Sequence, residues 1–150
     1  MILIDTNYLV DFILPPFNAD GESRSQRAKM LLSGIEAGHY RAIIPEVVFH
    51  ECFYVLVTKL KVIDVPTFFE LFQSILQYRG WELPEEDLAI YLRALSIVLT
   101  EPRLELSDAL IAARAESHHR EPQFPAIWSQ PQWINVLHRK KRPGKRLSAM

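Results

Sequence analysis

Apolar positions along the chain change their spacing several times, and each change marks the edge of an element. "MILID" opens with an apolar run that stops at Asp5 and reads as a short buried strand. "TNYLVDFIL" continues at helical spacing, with Thr6 a candidate cap and Pro15-Pro16 a stop. "FNADGES" reads as a loop. "SRSQRAKMLLSGIEAG" reads as a helix carried by Ala28, Leu31, Leu32 and Ile35, with Gly38 ending it. "YRAII" is a second strand, after which Pro45 opens the long helix "PEVVFHECFYVLVTKLK". The segment "VPTFFELFQSILQY" predicts another helix and "GWEL" a third strand. "PEEDLAIYLRALSIVLT", with acids in its first turn, and "SDALIAARAESHH" are the last clear helices. "AIW" and "INVL" are candidate closing strands. Short strands alternating with helices predict an α/β domain built on a mainly parallel sheet.

Composition sharpens this outline. The 150 residues suit one domain, and 49% are apolar, enough for a sizeable core. The net charge of −1 hides an asymmetry. Six of the 17 Lys and Arg lie in "HRKKRPGKRLSAM", leaving 11 in the body against 18 acids, so a body near −7 carries a tail of +6. The domain is therefore assigned to residues 1–137 and the basic tail to 138–150. The tail's Pro- and Gly-interrupted composition reads as disorder, with a nucleic-acid contact as the other reading. Cys52 is the single cysteine, so no intrachain disulfide forms; it sits in an apolar run as a packed thiol, which fits a reducing compartment. Neither a signal peptide nor a membrane-length apolar run is visible, and the expectation is a soluble, cytoplasmic protein without membrane contact.

Three carboxylates stand out. Asp5 ends the first strand. Glu51 has Val47, Val48, Tyr54 and Val55 as its same-face neighbours, which predicts a carboxylate on an apolar stripe, where an unpaired charge is costly. Asp108 opens a late helix among Leu106, Leu110 and Ile111. Each has a plainer reading alone: an Asx-type turn at Asp5, a paired core carboxylate at Glu51, and helix capping shared with Ser107 at Asp108. Glu46, about 140° around the helix from Glu51, is read as a dipole or solvent residue. Taken together, the three acids fall where the C-terminal edge of a parallel sheet gathers ligands. A set of carboxylate oxygens suits Mg²⁺ or Mn²⁺; no Cys/His spacing supports zinc, and the adjacent His118 and His119 point in different directions. A plain globular domain with three paired or capping acids is the third reading.

"ILIDTNYLVD", "IIPEVVFHECFYVL" and "LELSDALIAARA" closely resemble the three acidic motifs of PIN-domain proteins, especially the VapC-like ribonuclease toxins. The resemblance implies a three-layer α/β/α sandwich with a central, mainly parallel sheet. It also implies a Mg²⁺- or Mn²⁺-dependent single-strand endoribonuclease, often a homodimer and held inactive by an antitoxin. Asp5, Glu51 and Asp108 match the family's three acids as catalytic and metal-holding residues, with Thr6 and Asn7 the polar pair supporting the first. The fourth motif departs from the family: in "AIWSQPQWINV", Gln130 or Gln132 stands where an acid is expected and supplies no charge. The competing function is therefore a degenerate PIN domain that binds RNA or a partner protein without cutting. The helix "PTFFELFQSILQY" is apolar nearly all round, which predicts either a cover by the preceding long helix or a homodimer or antitoxin surface.

Overall fold

The computed structural model describes residues 1–119. The fourth-motif glutamines, the closing strands and the basic tail lie outside the described residues. The described elements run β1 (Ile2–Leu3), α1 (Thr6–Ile13), α2 (Ala19–Glu36), β2 (Ala42–Ile43), α3 (Glu46–Phe53), α4 (Val65–Ile75), α5 (Glu85–Thr100) and α6 (Leu106–His119). The architecture is α/β but mostly helical. β1 and β2 pair in parallel, Ile2 opposite Ala42 and Leu3 opposite Ile43. Ala42 also bridges Trp81 in parallel, so "GWEL" contributes a single bridge in place of the expected strand. β2 is thus flanked on both sides: the Ala42 N–H donates to the Gly80 carbonyl at 2.9 Å and its carbonyl accepts from the Glu82 N–H at 2.7 Å. Gly80 is confined here, because a Cβ at this position would lie 2.1 Å from the Tyr40 carbonyl oxygen.

Helix boundaries follow local chemistry. Leu14, held extended ahead of Pro15, ends α1. The loop read in "FNADGES" is instead the start of α2, because the Asn18 side chain accepts the Gly21 N–H at 2.8 Å and caps the helix early. Gly38 at φ +80° ends the α2 segment in the left-handed region as expected. Asp64 caps α4 by accepting the Thr67 N–H at 2.9 Å. The long helix expected after Pro45 is continuous, but beyond α3 it widens into a π-helical turn, Tyr54–Lys59. The Leu60 N–H there donates to the Val55 carbonyl, five residues back, at 2.9 Å, and Lys61 at φ 52° closes the turn.

The core lies between these helices. Ile4, Leu9, Leu32, Ile35 and Ile44 are fully buried beneath the strands. A second group is aromatic: Phe49 lies 4.9 Å from Tyr91, 5.6 Å from Phe72 and 6.2 Å from Phe68, between ring centroids. Phe53 meets Phe68 edge-on at 5.0 Å, a favoured arrangement of ring quadrupoles. The all-round apolar helix α4 is therefore covered by the preceding helix and by α5. Phe68 and Phe72 are buried, and Phe69 and Leu71 are half-buried against the core. Among the described residues, no helix is long and apolar enough to cross a membrane.

Candidate nuclease site

β1 delivers the first acid. The Ile4 N–H donates to the Ile43 carbonyl at 3.0 Å, so the chain is still tied to β2 one residue before Asp5. Asp5 is then the extended N-cap residue of α1 (φ −92°, ψ 155°), yet its carboxylate makes no capping bond. Its side chain is exposed and accepts a long bond from Asn7 Nδ2, at 3.4 Å. Thr6, expected as a cap and as support for Asp5, does something else. It is the first residue of α1, is buried, and its hydroxyl donates to Glu51 Oε2 at 2.9 Å. Asn7 thus serves the first acid and Thr6 the second.

Glu51 is itself exposed, contrary to the dry apolar setting predicted for it. Of the four neighbours that defined its stripe, Val47 and Tyr54 are exposed at 65% and 47%, Val55 is half-buried and Val48 is buried, so Glu51 stands at the edge of the packed face. That face carries Val48, Phe49, Cys52 and Phe53. An apolar i±3 and i±4 neighbourhood defines a face of a helix; what packs against the helix decides whether that face is buried. With water available, the Glu51 carboxylate needs no buried base as a partner.

Asp5 and Glu51 nevertheless act on the same place. Cys52 is fully buried, and its thiol is pushed up to about 12, first by burial, then by the negative charges of Glu51 and Asp5. Both negative charges thus reach one side chain, and the Thr6–Glu51 bond ties the residue after Asp5 to Glu51. At neutral pH Cys52 is a protonated, packed thiol, as its sequence context suggests, and not a nucleophile.

Asp108 lies in the first turn of α6, half-buried, and α6 packs against α3 and α5. Among the described residues, no three His, Cys, Asp or Glu side chains form a group that could hold a metal ion. The donor chemistry, carboxylates from three separate elements, fits a hard divalent cation. The geometry holds Asp5 and Glu51 near each other without a closed three-ligand cage. His118 is exposed and enters no such group.

Two connections went unread in the sequence. Arg114 of α6 forms an ion pair with Glu46 of α3 and reaches Asp87 of α5 at 3.5 Å, so Glu46, in the first turn of α3 as expected, also links that helix to α6. The one signal was an arginine within the otherwise small and apolar "ALIAARA". The same acids border Tyr91, whose phenol is pushed up to about 12 by burial, then by Glu46 and Asp87, with Arg114 opposing. Second, the Thr58 hydroxyl, in the π-helical turn, donates to Glu105 Oε2 at 3.1 Å and ties that turn to the approach to α6.

The PIN domain model matches residues 2–121, which takes in Asp5, Glu51 and Asp108. The chain belongs to the PIN-domain family, whose members are generally nucleases. No significant match was found among curated proteins or among solved structures.

Proposed function

We propose that the protein is a Mg²⁺- or Mn²⁺-dependent single-strand endoribonuclease acting as the toxin of a toxin–antitoxin pair. The observation that supports this reading is the Thr6–Glu51 hydrogen bond, which ties the residue after Asp5 to the second acid, in a chain that matches the PIN domain. Asp5, Glu51 and Asp108 match the acids that the family motifs assign to the cation, and they would hold it only in an arrangement more closed than the one described. When bound, it supplies acidification of a water and charge neutralisation at the scissile phosphate. The chain's own part is positional. Thr6 fixes Oε2 of Glu51, which leaves Oε1 without that constraint, and Asn7 steadies Asp5. The protonated Cys52 gives no covalent route. The family resemblance implies a 5′-phosphate product, a three-layer sandwich, and a homodimer or antitoxin complex.

The alternative, a PIN domain that binds RNA or a partner without cleaving, draws on the open arrangement of the acids and on Gln130 and Gln132 in place of a fourth acid. One experiment separates the two. Purified protein and an Asp5→Asn control are incubated with single-stranded RNA, with and without Mn²⁺, beside a binding assay. The nuclease reading expects Mn²⁺-dependent cleavage that the control lacks. RNA binding without cleavage selects the alternative.

A further inference from the structure

Each of the three acids is followed, three residues along the chain, by an exposed large apolar side chain. Tyr8 follows Asp5, Tyr54 follows Glu51 and Ile111 follows Asp108, at 45%, 47% and 61% exposure. Single exposed apolar residues are ordinary on a protein surface. Their recurrence at the same step from every acid of one motif set is not a scatter. Residues three apart lie on one face of a helix, a turn from each other. In the first case the link is direct, since the Tyr8 N–H donates to the Asp5 carbonyl at 3.1 Å. The Thr6–Glu51 bond ties the start of α1 to α3, and Tyr8 and Tyr54 each stand one helical turn beyond an acid of that pair. Neither tyrosine belongs to the hydrophobic core.

We propose that Tyr8 and Tyr54 are stacking platforms for two unpaired nucleobases on either side of the phosphate addressed by Asp5 and Glu51. This rests on the nuclease reading and adds its substrate-positioning residues. A single strand alternates base, phosphate and base, which matches an aromatic, acidic and aromatic sequence of groups once a cation offsets the acids. A duplex keeps its bases stacked inside and offers the rings nothing, so the platforms select unpaired strands. Every base has a π-face, so the preference among bases is weak. Ile111 supplies apolar contact but no stacking plane.

The test compares Tyr8→Ala and Tyr54→Ala with Tyr8→Phe, Tyr8→Trp, Tyr54→Phe and Tyr54→Trp in the whole chain. It measures cleavage of a single-stranded and a hairpin RNA in Mn²⁺, and binding of a fluorescein-labelled single strand in Ca²⁺. Each Ala variant is expected to raise KM roughly 5- to 100-fold with kcat little changed, as loss of one base–aromatic stack implies. Phe and Trp should restore it, and hairpin stems should respond to none of the changes. Because both rings lie outside the core, melting temperatures should stay near that of the parent. Ala variants that cut with unchanged KM, or Phe and Trp variants that fail to restore it, overturn the inference and leave the nuclease reading standing. A parent chain that neither binds nor cuts single-stranded RNA overturns both. Ala variants that keep KM but lose self-association in light scattering assign the rings to a protein contact and overturn the inference.

Discussion

Thr6 shows how one hydroxyl divides its effects between stability and chemistry. It is buried and its bond to Glu51 Oε2 is 2.9 Å long, but its partner is exposed to water. Thr6→Val leaves no buried charge without a partner, so the cost to folding should be only about 0.5–1.5 kcal/mol. The loss in Mn²⁺-dependent cleavage should be larger, because Glu51 then swings freely. Urea denaturation beside a cleavage assay checks the split; equal losses in both would make Thr6 merely structural. Glu51→Gln keeps an acceptor for Thr6 and should change stability by less than about 1 kcal/mol while removing activity. Tyr91 gives a pH signature. Its folded pKa, pushed up to about 12, lies above the ordinary 10.0, so the folded state holds the phenolic proton more tightly than the unfolded chain. That contribution is complete below pH 10 and is lost as pH rises through 12. Tyr91→Phe should flatten the fall in stability over this window, measured by denaturant titration at stepped pH.

At the level of elements, the aromatic group ties three helices together. Phe49 of α3 touches Phe68 and Phe72 of α4 and Tyr91 of α5. Phe49→Ala should therefore cost about 3–5 kcal/mol in chemical denaturation, the usual range for deleting a buried aromatic side chain. Phe49→Leu should cost clearly less. The ion pairs on the outside count for less: Arg93 meets Glu116 with two bonds of 2.7 and 2.9 Å and joins α5 to α6, but both side chains are substantially exposed. Arg93→Gln should change stability by about 0.2–1 kcal/mol, and added salt should shrink the difference. The helices themselves were legible from apolar spacing, and Gly38 and Pro15 marked real ends. The early start of α2 and the capping of α4 were missed because Asn18 and Asp64 act through side-chain bonds that apolar periodicity does not register.

For the whole molecule, the open question is how much charge the acid site commands. Gln130 and Gln132 bring none, so the proposed nuclease should favour Mn²⁺, which binds such sites more tightly than Mg²⁺. Gln130→Asp or Gln132→Asp should raise Mg²⁺-dependent cleavage, one much more than the other, in side-by-side assays of the three proteins. If neither has any effect, "IWSQPQW" is not the fourth motif.

The sequence by itself determined the local terms. Apolar spacing, prolines and Gly38 set the helices, the ordered motifs set the family, and the position of Asp5 after an apolar run set the first acid at a strand end. These depend on residues within a turn or two of each other, and such neighbours are printed in the chain. Tertiary structure alone decided what faces water and which distant groups meet. The apolar neighbours of Glu51 looked like core, but of the four only Val48 is buried, while Val47 and Tyr54 stay outside and Phe49 and Phe53 turn inward. Thr6 reached a carboxylate 45 residues away, and Arg114 joined Glu46 across 68. A helix has several faces and one packing arrangement, so no local pattern can state which face the rest of the chain will cover.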